Sequence, residues 1–192
     1  TLNITDLNEA PGITSAGTTD ATQDAFYSYT LAYGDVDAGD TLTLSNSTLP
    51  SWLNFDTTTG VLSGTPTNDD VGAHELTLTV TDAAGLTDSQ SFTITIANLN
   101  DAPVFGSATA SVSINENVDT STVVYTAVAG DVDVGDTLSY SLGGADGSLL
   151  TIDSTTGEVT LKATPDHETR DQYLFSVIAT DAGGLTDSLD VT

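Results

Sequence analysis

Residues 76–97 read LTLTVTDAAGLTDSQSFTITIA. Leu76, Leu78 and Val80 alternate with Thr77 and Thr79, and Phe92, Ile94 and Ile96 alternate with Thr93 and Thr95. A period of two puts every apolar side chain on one face of an extended chain, and β-branched residues suit a pleated, half-buried surface. Two half-buried strands joined by a turn near Asp82 and Gly85 are therefore predicted. The pattern recurs at Tyr173, Phe175, Val177 and Ala179, and no window sustains the 3.6-residue period of a helix.

The same stretch exposes a repeat. VTDAAGLTDS from Val80 returns as ATDAGGLTDS from Ala179, 99 positions on. GDVDAGD, ending at Asp40, returns as GDVDVGD, ending at Asp136, and FDTTTGVLSGTP from Phe55 as IDSTTGEVTLKATP from Ile152. Two copies of one plan in 192 residues predict two domains of ordinary size. Short alternating segments between Gly, Asp and Asn clusters predict about seven strands per copy. The predicted class is all-β: two tandem immunoglobulin-like Greek-key β-sandwiches.

ITDLNEAP at residues 4–11 parallels IANLNDAP at residues 96–103. Residues 1–10 thus read as the end of a preceding repeat and its linker, 11–102 as the first domain and 103–192 as the second. LDVT at 189–192 aligns with the start of SFTITIANLN, so the second domain's last strand is expected to be cut short, with Asp187 in the loop before it.

Charge constrains the chemistry. The chain carries 28 Asp and Glu against two cations, Lys162 and Arg170, a formal net charge of −26. Such a molecule repels nucleic acid and anionic membrane, and no apolar run is long enough for insertion into a bilayer. With no cysteine, disulfides and thiolate metal sites are excluded. Carboxylates that lie close together need a counter-ion the chain does not provide. Two of them about 5 Å apart repel by roughly 3 kcal/mol at an effective dielectric of about 20.

Acidic and amide residues cluster in four repeated places: the linker from Asn98 to Pro103, the loop from Asp131 to Asp136, the turn starting at Asp181, and a group late in each copy. Acids two apart in an extended loop point to the same side and can converge on one hard cation; with oxygen ligands alone, that cation is Ca²⁺. Helices to make Asp35–Asp40 an EF-hand are missing, and the twelfth position of such a loop is Asn46. His167 lies between Asp166 and Glu168, but no nucleophile motif accompanies it and the chain reads as no enzyme. Trp52, among apolar neighbours, reads as core.

Taken together, the strand-A acid Glu116 in INENV, the Asp131 and Asp133 loop, Asp166 and Glu168 in PDHET, Asp181 with its glycines, and the NLNDAP linker resemble a cadherin repeat. The first copy has Gln23-Asp24 and Asn68-Asp69-Asp70 in those positions and, with LPSWLNFD and SGTPTNDDVG, looks more like a dystroglycan-type cadherin-like domain. The resemblance implies three sets of calcium ligands. One takes Asp24 and Asp69 or Asp70 with Asn98, Asn100, Asp101, Asp131, Asp133 and Asp181. A second takes Asp6, Asn8, Glu9, Asp35, Asp37 and Asp82, and a third Glu116, Asp166 and Glu168. It further implies a calcium-rigidified spacer or adhesion segment of a large secreted or surface-attached bacterial protein, partnered by neighbouring repeats. Glycan binding and adhesion between identical modules are the competing functions.

Overall fold

The computed structural model describes residues 2–3 and 7–192, and the chain divides into two compact units, Thr1–Leu99 and Asn100–Thr192. The first unit holds β1 (Gly12–Ile13), β2 (Asp20–Thr22), β3 (Tyr27–Thr30), β4 (Tyr33–Gly34), β5 (Thr43–Asn46), β6 (Leu53–Asp56), β7 (Val61–Gly64), β8 (Gly72–Thr81) and β9 (Thr87–Ala97). The second holds β10 (Val104–Phe105), β11 (Thr109–Ala110), β12 (Val123–Thr126), β13 (Ala129–Gly130), β14 (Ser139–Gly143), β15 (Leu150–Ile152), β16 (Glu158–Leu161), β17 (Phe175–Thr180) and β18 (Thr186–Val191).

Each unit is a β-sandwich. In the first, one sheet runs β2-β9-β8-β5 and the other β3-β7-β6, with β1 paired to β4. The second repeats this order as β11-β18-β17-β14 and β12-β16-β15, with β10 paired to β13. Every pairing is antiparallel except β2 with β9 and β11 with β18, which join the second strand of each unit to its last. Nine short strands per unit, among the described residues, replace the expected seven. Two strands of each unit are broken, so β1 and β2, and again β3 and β4, occupy what the pattern reads as single strands, with β1 and β4 pairing apart from the two larger sheets.

The alternating residues form the cores. Leu76, Leu78, Val80, Ile94 and Ile96 face inward from β8 and β9 onto Tyr27, Phe55 and Leu62. Val177, Ala179, Leu189 and Val191 do the same against Val159 and Leu161. Each such Leu, Ile or Val side chain contributes about 1.5–3 kcal/mol on burial. Trp52 is half-buried and meets Tyr27 edge-on at 5.9 Å between ring centroids, packing on the first core.

Tight turns link the strands of the smaller sheets. In β6–β7 the Asp56 Oδ1 accepts hydrogen bonds from the Thr58 and Thr59 amides at 2.8 and 3.3 Å, while Gly60 takes φ +73°. Asp153, Thr155, Thr156 and Gly157 reproduce this in β15–β16, with distances of 2.8 and 3.0 Å and φ +71°. The left-handed glycine and the side-chain acceptor together close the turn.

Candidate metal centres

In the second unit, β13 delivers the chain into the Asp131–Asp136 loop, Gly135 at φ +91° turning it back toward β14. The loop folds on itself. Asp131 Oδ1 accepts from the Asp133 amide at 3.0 Å, Asp136 Oδ1 from the Thr137 amide at 2.9 Å, and the Asp133 carbonyl from the Asp136 amide at 3.1 Å. Carboxylate oxygens of Asp131, Asp133 and Asp136 thereby lie within 4.8 Å of one another.

The neighbouring turn and the linker complete the group. Asp181 Oδ1 accepts from the Leu185 amide at 2.7 Å and its Oδ2 from the Asn100 side-chain amide at 2.8 Å. The Asp101 amide donates to Asp133 Oδ2 at 2.7 Å. Burial pushes the Asp181 carboxyl up, but the Asn100 amide and the Leu185, Gly184 and Gly183 N–H groups outweigh it and hold it below the ordinary carboxylate range. Asn100, Asp101, Asp131, Asp133 and Asp181 are thus brought together, while Asn98 lies exposed after β9 in the other unit.

The first unit builds the same arrangement from its own residues. Asn8 donates to Asp82 Oδ2 at 2.8 Å, the Glu9 amide to Asp37 Oδ2 at 2.9 Å, and the Leu86 amide to Asp82 Oδ1 at 2.7 Å. The Asn8 hydrogen bond, aided by the Leu86 amide and against burial, holds the Asp82 carboxyl below its ordinary value. Here the three converging carboxylates are Asp35, Asp40 and Asp82. Asp6 lies outside the described residues.

These groups fit a hard divalent cation. Asp35 Oδ2 and Asp40 Oδ2 in one unit, and Asp131 Oδ2 and Asp133 Oδ1 in the other, are buried oxygens with no hydrogen-bond partner. A buried carboxylate oxygen so placed costs free energy unless a cation or donor meets it. Neither basic side chain does so: Arg170 pairs with Asp146 at 2.6 Å and Lys162 donates to the Ser148 carbonyl at 2.9 Å. Asp40 and Asp136, absent from the ligand sets read in the sequence, stand among the converging carboxylates; their signal was the sixth residue of the repeated DVDxGD loop.

At the other end of the second unit, Glu116, Asp166 and Glu168 form a third group of converging carboxylates, all exposed. The His167 amide reaches Glu116 Oε2 at 3.3 Å, and Thr169 Oγ1 donates to Asp166 Oδ2 at 2.6 Å, depressing the Asp166 pKa. The equivalent end of the first unit differs. Asp24 and Asn117 correspond, at φ +59° and +62°, each amide donating to a proline carbonyl at 2.8 Å, Pro66 or Pro165. The residue preceding each is Gln23 in one unit and Glu116 in the other. Gln23 is 3% exposed, and its Oε1 accepts from the Leu99 amide at 3.3 Å. Asp70 Oδ2 is engaged by the Thr67 amide and hydroxyl, each at 2.9 Å, so Asp24, Asp69 and Asp70 form no converging trio among the described residues.

Comparison with known proteins follows this division. Residues 10–97 match the family model described as "Putative Ig domain" and residues 110–192 the "Cadherin domain" model. Cadherin-17 of Rattus norvegicus is 37% identical over 94 residues, covering 49% of this chain and 11% of that protein. Protocadherin Fat 4 of Mus musculus is 34% identical over 138 residues, covering 68% and 3%. The chain therefore spans about a tenth or less of either relative. Among solved structures, human protocadherin-24 EC1-2 superposes with a TM-score of 0.66 at 22% identity over 96% of this chain and 98% of that one. Fold, site layout and matches together support cadherin-like repeats.

Proposed function

We propose, starting from two cadherin-like repeats, that the chain is a calcium-binding spacer or adhesion segment of a large extracellular protein, stiffened by the ion. The observation that carries this reading is the pair of buried, unpartnered carboxylate oxygens in each repeated loop, Asp35 with Asp40 and Asp131 with Asp133. The ligands are Asn8, Glu9, Asp35, Asp37, Asp40 and Asp82 in the first unit, and Asn100, Asp101, Asp131, Asp133, Asp136 and Asp181 in the second. Glu116, Asp166 and Glu168 form a more exposed site. Asp6, Asn98, Asp24 and Asp69 are further candidate ligands.

Ca²⁺ supplies the positive charge the sequence lacks, and by holding the linker residues Asn100 and Asp101 against the loops it limits their freedom. Extracellular modules of this chemistry work at roughly 10⁻⁴ to 10⁻³ M calcium, so the sites fill outside the cell and stay empty at cytosolic levels. The dystroglycan-type phrasing of the first copy favours a bacterial surface protein as the parent. Calorimetric calcium titration together with small-angle scattering tests the proposal. Calcium is expected to bind with millimolar or tighter affinity and to change the maximum dimension relative to protein in EGTA; an unchanged dimension with no heat of binding rejects it.

A further inference from the structure

Strand β9 separates two chemically different ends of the first unit. At its start, the turn from Asp82 meets the Asp35–Asp40 loop, and Asp35, Asp40 and Asp82 bring carboxylate oxygens within 4.8 Å of one another. Beyond its last residue, Ala97, hydrogen bonds stand in place of charge. The Gln23 amide donates to the Ala97 carbonyl at 3.1 Å, and the Gln23 side-chain oxygen accepts from the Leu99 amide at 3.3 Å. The Asp24 amide donates to the Pro66 carbonyl at 2.8 Å, and one Asp70 carboxylate oxygen accepts from both the Thr67 amide and hydroxyl. Gln23 is buried and neutral.

The residues that converge in the second unit all belong to that unit. Asn100 and Asp101 lead into it, Asp131, Asp133 and Asp136 form its loop, and Asp181 begins its turn. Asp133 is only 8% exposed, and its Oδ1 lies in the acidic trio without a hydrogen-bond donor. Ca²⁺ takes about 6–8 oxygen ligands, a number these residues can supply unaided. The first unit repeats the contacts with its own leading residues. Asn8 reaches Asp82 Oδ2 as Asn100 reaches Asp181 Oδ2, both at 2.8 Å. The Glu9 amide reaches Asp37 Oδ2 at 2.9 Å as the Asp101 amide reaches Asp133 Oδ2 at 2.7 Å. The same contacts recur in two units, each within its own bounds, which marks a self-contained centre.

We infer that each unit holds calcium by itself, on its leading residues and its own DVDxGD loop, and that the Ala97 end of the first unit is fastened by Gln23 in place of an ion. The inference rests on the calcium-binding reading above and narrows it: Asp24, Asp69 and Asp70 supply no ligand to the centre of the second unit. The two fastenings answer to different conditions. A hydrogen bond between the Gln23 side chain and the Leu99 amide carries no net charge and needs no counter-ion, so Leu99 is held at any calcium concentration. Asn100 and Asp101 sit against clustered carboxylates whose repulsion only the cation removes. Calcium control begins at Asn100.

Amide exchange on the full chain tests this, in EGTA and at about 10 mM calcium, above the roughly 10⁻⁴ to 10⁻³ M at which extracellular modules bind. Exchange at Asp37, Asp40, Asp101, Asp133 and Asp136 is expected to slow at least tenfold with calcium. At Asp24, Asp70, Val71 and Leu99, whose amides are hydrogen-bonded within the first unit, it is expected to change less than twofold. Slowing at Asp24 and Asp70 equal to that at Asp133 would mean a shared ion and overturn the inference while leaving calcium binding intact. Calcium-insensitive exchange at every one of these amides would overturn the calcium reading, and the inference with it. Gln23→Ala is expected to speed exchange at Leu99 at least tenfold in both conditions and to leave the calcium midpoint at Asp133 within twofold; a tenfold weaker midpoint overturns the inference. If Gln23→Ala fails to fold, the comparison on the unaltered chain decides alone.

Discussion

The Asp187 carboxylate accepts a hydrogen bond from the Phe105 amide at 2.8 Å, and Asp88 does the same for the Ile13 amide at 2.8 Å in the first unit. These two acids are fasteners of the fold. Each reaches from the last strand of its unit, β18 or β9, to the backbone of the first, β10 or β1. Asp187 lies within β18 rather than in the loop before it, so its chemistry is that of a backbone clamp. Asp187→Ala should lower the stability of the second unit by about 1–2 kcal/mol, because the Phe105 amide loses its partner. Calcium affinity should stay within twofold of the unaltered chain. Urea unfolding in EGTA, read beside calorimetry, separates the two effects; a tenfold loss of calcium affinity would place Asp187 among the ligands.

Asp133→Ala is the complementary substitution. Asp133 presents one oxygen to the Asp101 amide and a second, buried and unpartnered, toward Asp131 and Asp136. Removing it relieves repulsion in the metal-free loop and deletes a central ligand. Calcium affinity should fall at least tenfold, and stability in EGTA should change by no more than about 1 kcal/mol, relief of the repulsion offsetting the hydrogen bond lost to the Asp101 amide. Asp101→Ala should weaken calcium binding in the same direction with circular dichroism near that of the unaltered chain. Should stability in EGTA collapse in Asp133→Ala, the loop is held by hydrogen bonding and not poised for a cation.

Much of this was legible in one dimension. Alternation over residues 76–97 identified the inward faces of β8 and β9 because the period of side chains in a strand is independent of tertiary context. The repeated loops pointed to the acidic residues that converge, although in the first unit Asp35 is joined by Asp40 and Asp82, distant in spacing, rather than by Asp37 two positions away. Other features depend on partners distant in sequence. The splitting of two strands in each unit depends on which partners their halves find, and the clamps of Asp88 and Asp187 join residues 75 and 82 positions apart. The sequence already sets Gln23 in the place of Glu116, but the burial of Gln23, with its Oε1 accepting from the Leu99 amide, depends on a partner 76 positions away.

Acid should unfold the metal-free chain through its turns. Asp56 is held below the ordinary carboxylate range first by the Thr58 amide, and Asp153 first by the Thr156 amide. A carboxylate whose folded pKa is depressed contributes stability above its unfolded pKa of about 3.9 and loses it as pH falls through the folded value. In EGTA the contribution of both groups should be constant from pH 7 to about 5 and disappear below about pH 4. Asp56→Asn with Asp153→Asn keeps a side-chain oxygen acceptor at each turn and removes the titration. Urea midpoints for that double variant should decline less steeply below pH 4 than those of the unaltered chain, and parallel declines would show that other carboxylates dominate.

The two matching turns also permit an internally controlled glycine test. Gly60 and Gly157 share a left-handed φ, at +73° and +71°, so alanine at either carries the same backbone penalty, roughly 1–2 kcal/mol. Their surroundings differ. A Cβ at Gly60 would approach the Leu31 carbonyl at 3.3 Å, a contact that small shifts relieve, whereas at Gly157 it would run into the Ala127 carbonyl oxygen. Both carbonyls belong to backbone tied to its turn alike, the Leu31 amide donating to the Gly60 carbonyl at 2.9 Å and the Ala127 amide to the Gly157 carbonyl at 3.0 Å, so the difference lies in how far each carbonyl must move to admit a Cβ. Gly157→Ala should therefore destabilise the second unit by about 1 kcal/mol or more beyond what Gly60→Ala costs the first. Hydrogen exchange on each variant, read at Val159 and at Leu62, measures both units in one chain. Equal costs would mean that backbone conformation alone governs these positions and that the Ala127 carbonyl yields freely.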